Sequence, residues 1–236
     1  MDVTSLVAAL IALILLAYFF LAKGSVASRG STVLLIGPSG AGKTLAYMQL
    51  RYGRNVPTHT SMEANDDVFI MQVARTGGAA APQVAVHVVD CPGAPQLHLE
   101  QMGRVAGAGA IVCMLDASDP LAQSKAAAGI LYELFTCDAM RRHRVPTLIA
   151  CNKSDSAKAM KSAQLRGMIE KEVDRIQHSR STMQDLSDKT QGTMISSHGV
   201  PFTFKEAPCE VSVADTCATK PGLEPLVEFV AAQLKL

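Results

Sequence analysis

Eight residues, Gly37-Pro38-Ser39-Gly40-Ala41-Gly42-Lys43-Thr44, constrain this chain more than any other stretch. They fit the pattern G-x-x-x-x-G-K-[ST], and their flanks fit as well. Thr32-Val-Leu-Leu-Ile36 is a short apolar run suited to a buried parallel strand, and Leu45 to Arg51 is made of helix formers. Strand, glycine loop and helix in that order build a backbone cradle for phosphate. Gly40 and Gly42 let successive N–H groups converge on an anion, and the helix N-terminus adds its partial positive charge. Lys43 is placed to reach β- and γ-phosphates and Thr44 to put its hydroxyl on Mg²⁺. Pro38 has no N–H and sits early in the loop, where little phosphate contact is expected. A plain glycine-rich turn would leave the flanking strand and helix unexplained.

Two further motifs follow in a fixed order. Gln83-Val-Ala-Val-His-Val-Val-Asp90 reads as a strand ending in an acid, followed by Cys91-Pro92-Gly93. Asp90 then stands at the carboxyl end of a strand, the ligand edge of an open α/β sheet, where a carboxylate can hold magnesium directly or through water. Gly93 lacks a Cβ and can bring its N–H close to a γ-phosphate. Between these motifs, Thr58-His-Thr60-Ser61 offers a threonine for Mg²⁺ and the γ-phosphate: Thr60 is the first choice and Thr58 the second. Thr147-Leu-Ile-Ala-Cys151 is another strand, followed by Asn152-Lys153-Ser154-Asp155. Guanine presents an N1–H and an exocyclic NH₂ side by side, and one carboxylate can accept from both. A site built on that pair rejects adenine, because its buried acceptor would be left unpaired. Asp155 is that carboxylate, Asn152 braces the loop, and the Lys153 stem can lie along the base. An ATPase would make Asp155 incidental. Glu210-Val-Ser-Val-Ala214 reads as a late strand, with Ser212 and Val213 as candidates for a loop at the guanine O6; a plain strand end is the equal alternative.

Val3 to Ala22 is apolar apart from Thr4, Ser5 and the Tyr18 hydroxyl. About 20 residues at 1.5 Å each cover the roughly 30 Å hydrocarbon core. Lys23 and Arg29 follow, so the positive-inside rule places the remainder of the chain in the cytosol, with Tyr18, Phe19 and Phe20 near that interface. A cleaved signal peptide is the rival, but it lacks a basic n-region and the run is long for one. The expected organisation is an anchor at 1–24, a linker at 25–30 and one domain at 31–236. Within the domain, 179–200 is expected to be a mobile polar insertion. Strands are expected at 32–37, 67–74, 83–90, 110–116, 147–152 and 209–213, with helices near 43–52, 96–106, 120–139, 157–178 and 224–235. This alternation implies a mostly parallel sheet with helices on both faces, and the Ala79–Pro82 connection implies a hairpin giving one antiparallel edge. The basic helix at 157–178 reads as a solvated face with one buried stripe, contact with acidic lipid being the alternative. A formal net charge of +1 gives no reason to invoke nucleic acid. The six cysteines form no C-x-x-C pair and read as small core residues in a reducing compartment. Cys91, inside the switch motif, is read as a filler over a redox group.

Together the P-loop, D-C-P-G, N-K-S-D and the N-terminal run resemble the family of signal recognition particle receptor beta subunits. Val33–Gly37, Gly42–Leu45, Thr58–Ser61, Leu148–Lys153, the basic helix through Ala163 and the polar stretch before Phe202-Thr-Phe204 all look like that family. The resemblance implies a Ras/Arf-like P-loop GTPase anchored in the endoplasmic reticulum membrane. It implies GTP and Mg²⁺ as ligands, and switch regions that bind the N-terminal domain of the receptor's alpha subunit, with ribosome or translocon as further partners. It places phosphate on Gly37 to Thr44, magnesium on Thr44 and Thr60, the γ-phosphate on Gly93 and guanine on Asn152, Lys153 and Asp155. Two departures stand out. Ala94 follows Gly93 where relatives carry a water-orienting side chain, and alanine can neither orient nor polarise water. The late loop lacks the common S-A-K. Weak or partner-dependent hydrolysis follows, with Gln96 or His98 as conceivable substitutes. The alternative reading is an Arf/Sar-like GTPase that cycles in coat assembly, but such proteins use a reversible amphipathic anchor.

Overall fold

The computed structural model describes residues 30–58, 63–72, 83–94, 98–185, 195–196, 200–219 and 222–234. The expected anchor at 1–24 and most of its linker lie outside these, as does Thr60. Among the described residues no helix is long and apolar enough to cross a membrane.

Six strands form one sheet: β1 (Thr32–Ile36), β2 (Asn65–Gln72), β3 (Gln83–Asp90), β4 (Ala108–Asp116), β5 (Thr147–Asn152) and β6 (Val211–Asp215). Their spatial order is β2-β3-β1-β4-β5-β6. β1 pairs in parallel with β3 and β4, β4 with β5, and β5 with β6, whereas β2 runs antiparallel to β3, as the expected hairpin requires. The chain leaves β1 toward β2 and β3 on one side and leaves β3 for β4 on the other, so the carboxyl ends of β1 and β3 flank the topological switch point where such sheets bind ligands.

The helices are α1 (Lys43–Tyr52), α2 (His98–Arg104), α3 (Pro120–Thr136), α4 (Asp138–His143), α5 (Ser162–Asp185) and α6 (Glu224–Leu234). Strand alternation divides the core. Val33, Leu35, Val112 and Met114 face α1 and α6 through Ala46, Tyr47, Leu226 and Val230. Leu34, Ile36, Ile111 and Leu115 face α3 and α5 through Leu131, Phe135, Leu165 and Ile169.

Several boundaries differ from the sequence reading, and the larger shifts have a tertiary reason. The helix expected over 120–139 is two helices. Cys137 is extended (φ −70°, ψ 143°), and its sulfur accepts from Met140 N to start α4. α3 itself begins where expected, with Asp119 capping and Pro120 in the first turn. α5 starts at Ser162 and not 157, because the preceding residues turn back on the base-reading motif and Asp215 Oδ1 accepts from Ser162 N. It also runs to Asp185, past 178, so the start of the expected insertion is helical. Leu165, Ile169, Val173 and Gln177 continue one buried stripe. Gln177 is polar and lies one residue before the expected helix end at 178. Its Nε2 donates to Asp174 Oδ1 and to Ser196 Oγ at 2.6 Å, which ties part of the polar stretch to the helix. β6 is displaced toward the C-terminus, at 211–215 where 209–213 was expected, and that shift moves the loop after it.

Candidate functional site

β1 ends at Ile36 and α1 begins at Lys43, so the glycine loop sits over the switch point. Gly40 and Gly42 adopt the left-handed backbone (φ 76° and 88°) that the cradle requires. Lys43 is 6% exposed and donates to the carbonyls of Gly37 and Pro38, both at 2.9 Å. Its ammonium is thereby aimed across the loop. Burial lowers its pKa against the opposing pull of Asp90. An anionic ligand would favour the charged form.

Asp90 is fully buried at the end of β3. Its Oδ2 accepts from Thr44 Oγ1 at 2.7 Å and from Asn65 Nδ2 at 3.0 Å. Its Oδ1 is buried and has no hydrogen-bond partner among the described residues. Burial raises its pKa, opposed by the Thr44 and Asn65 bonds and by Lys43. A buried carboxylate oxygen without a donor, beside a threonine hydroxyl and a phosphate cradle, suits a hard dication with oxygen ligands. Among the described residues no cluster of three His, Cys, Asp or Glu could hold a metal. Mg²⁺ takes one or two protein ligands and fills its shell with phosphate and water.

Cys91, Pro92 and Gly93 fold back over the loop. A Cβ at Gly93 would lie 2.7 Å from both Lys43 Nζ and Ser39 N, so only glycine permits this approach. The buried Gln101 of α2 donates to the Pro92 carbonyl and fixes the segment from behind. A cleft of about 290 Å³ opens between Ser39–Leu45, Cys91–Gly93 and Lys153. Thr58, the second choice for the switch threonine, lines this cleft. Ala94 is half-buried, His98 begins α2, and Gln96 lies outside the described residues. Burial pushes the Cys91 thiol up to about 12, as it does those of Cys113 and Cys151, which agrees with inert packing groups.

The base-reading half is assembled from four segments. Asn152, 1% exposed, donates to the Ala41 carbonyl at 2.8 Å and accepts from Ala218 N at 3.0 Å. Thr216 N bonds to the Cys151 carbonyl and Ser154 N to the Thr216 carbonyl. The loop beside Asn152 is therefore 216–218. This corrects the expectation for Ser212 and Val213, which lie mid-strand opposite Leu148 and Ile149. The reason is the later register of β6; the run Thr216-Cys-Ala-Thr219 after the strand was the available signal. Asp155 is exposed at the turn that follows Asn152. Lys153 adopts φ 61° and pairs with Asp116 at the end of β4. Burial raises the Asp116 pKa, but the bonds from Lys153 and Ser118 outweigh it and hold the carboxyl below its ordinary range. Gln123 of α3 accepts from Asp116 N and donates to the Ser39 carbonyl, linking this half to the phosphate loop. Asp116, Gln123, Gln101 and Asn65 were not read from the sequence. Asp116 alone carried a visible signal, an acid closing an apolar strand as Asp90 does.

Comparison with known proteins points in one direction. The family model described as "Signal recognition particle receptor beta subunit" matches residues 28–211. The human signal recognition particle receptor subunit beta is 30% identical over 222 residues, covering 92% of this chain and 79% of that protein. A solved structure of the mammalian SRP receptor superposes with a TM-score of 0.71 at 26% identity, covering 85% of this chain and 98% of that one. A receptor SRb-GTP/SRX complex from Chaetomium thermophilum gives a TM-score of 0.66 at 21% identity, covering 86% and 99%. The fold is that of Ras/Arf-like GTPases.

Proposed function

The chain belongs to the signal recognition particle receptor beta subunit family, and from that premise we propose that it is a membrane-anchored, GTP-binding recruiting subunit. Its switch segments would hold the receptor's alpha subunit in the GTP state. Asn152 carries this reading. One side chain bonds the phosphate loop through Ala41 and the late loop through Ala218, so the phosphate cradle and the guanine reader are held as one site.

Within it, Asp155 accepts from guanine N1–H and NH₂, and the Lys153 stem flanks the base. Lys43 and the loop N–H groups take the phosphates. Thr44 and Asp90 would hold Mg²⁺, with Thr60 or Thr58 as the switch ligand. The dication neutralises phosphate charge when bound. Gly93 lies against Ser39 and Lys43, so a terminal phosphate gripped by Lys43 is within reach of the switch segment. The partner reads the presence of that phosphate as the position of the segment. Val3 to Ala22 would span the endoplasmic reticulum membrane once, with the nucleotide domain in the cytosol near ribosome and translocon.

Ala94 favours this reading over a cycling coat GTPase, since no side chain there orients water. The full chain in detergent should co-purify with GTP and hydrolyse it slowly without a partner. Bound GDP together with rapid unassisted turnover would put the cycling reading ahead.

A further inference from the structure

We propose that the end of the sheet opposite the nucleotide, built around α4, is a docking face for anionic lipid headgroups. This rests on the membrane-anchor reading above. Gly30, the first described residue, enters the fold at the amino end of β1. A Cβ there would fall 1.7 Å from the Gly107 carbonyl oxygen, so the backbones meet directly and the entry point is fixed. Gly109 makes the same approach from the other side, its missing Cβ 2.3 Å from the Gly30 carbonyl oxygen. The turn at Val105–Gly107 is also what α4 packs against. From Ala22 to Gly30 the chain spans at most about 28 Å when extended. A bilayer holding Val3 to Ala22 would therefore lie within that reach of the amino end of β1, the end at which α4 packs.

α4 ends in Arg141, Arg142, His143 and Arg144. The three arginines are exposed, and among the described residues none forms an ion pair. By contrast, the arginines of α5 are paired: Arg166 with Glu170, Arg175 with Glu172 and Arg180 with Glu133. Lys205 is exposed in the turn that leads to β6, and the carboxylates near these segments include Asp138, Glu210, the half-buried Glu206, and Glu133 and Glu170, which pair with Arg180 and Arg166. Arg144 also holds left-handed backbone (φ 47°) at the position after a helix where glycine is usual. Its N–H donates to the Met140 carbonyl at 2.8 Å, the local bond that closes α4 in this conformation. A cytosolic leaflet rich in anionic lipid attracts such cations within about a Debye length, roughly 10 Å at moderate salt.

The chain has no tryptophan, so one introduced indole is a clean reporter. Asp138→Trp in the full chain, reconstituted in vesicles with dansyl headgroups, measures the approach of α4 to the surface. Energy transfer should rise about two-fold when phosphatidylserine is added to phosphatidylcholine, and should fall back in 1 M salt, where the Debye length is about 3 Å. Arg141→Glu with Arg142→Glu should abolish the rise. Arg144→Gly, which relieves the backbone, should weaken it without unfolding the domain. Transfer that ignores lipid charge, in a chain that resists alkaline extraction, overturns the docking face and leaves the anchor standing. Release by alkali removes the anchor reading and the docking face with it. Loss of RNA binding on the same arginine substitutions, with no response to lipid charge, would reassign the face to nucleic acid and overturn the proposal.

Discussion

The two halves of the nucleotide site are built by opposite means. The phosphate half comes from one continuous loop and one strand end: Lys43 bonds Gly37 and Pro38, six and five residues away. The base half joins Asn152 to Ala41 and Ala218, and Lys153 to Asp116, across gaps of 111, 66 and 37 residues. A local cradle owes its geometry to glycine and a helix start. A long-range one depends on the packed sheet, and its parts fail together. The phosphate half should therefore lose ligand without losing fold, and the base half should lose both.

The largest effect is expected at Lys43. Lys43→Ala removes charge-assisted bonds to phosphate and should weaken GTP by at least about 100-fold, while thermal stability changes little. Titration calorimetry beside a melting curve separates the two, and an unchanged affinity would sink the phosphate-loop assignment. Asp155→Asn should invert the base preference toward xanthosine triphosphate by about 100-fold, because the new amide donates where guanine also donates. If competition assays still show guanine favoured, the reader lies elsewhere.

Asn152→Ala probes the fold link. It strands a buried carbonyl and a buried N–H, so it should cost about 2–4 kcal/mol of unfolding free energy as well as affinity. A drop in affinity alone would mean that the two halves are not braced by this side chain. The smallest effect is expected at Asp116. Its pKa is lowered on folding, so its contribution is present above the ordinary carboxylate value of about 3.9 and is lost as pH falls below it. Asp116→Asn should release Lys153, weaken nucleotide a few-fold at neutral pH and flatten that acid limb. An acid limb identical to the parent's would contradict the Asp116–Lys153 pairing.

Legibility followed the same division. Thr32–Ile36, Lys43–Tyr52 and Gln83–Asp90 stood in the sequence at nearly their observed bounds, because alternation, glycine and an N-terminal helix signal act over a few residues. The break at Cys137 was hidden, since its cap is a sulfur, which no helix-stop rule anticipates. The length of α5 was hidden because Gln177 is polar by type yet buried by its partner Ser196.

By itself the sequence set the residues from which the proposed chemistry at the ligand edge is drawn: a glycine-loop cradle, Asp90, Asp155 and an alanine where a water-orienting side chain would stand. Each is encoded in residues that are neighbours in the chain. Only the tertiary structure decided that 216–218, and not Ser212 and Val213, meets Asn152; that Asp116 holds Lys153; and that Gln101 and Asn65 brace the switch segment and Asp90. Those contacts depend on strand register and helix packing, and a one-residue slip in register would turn every side chain of a strand to the other face.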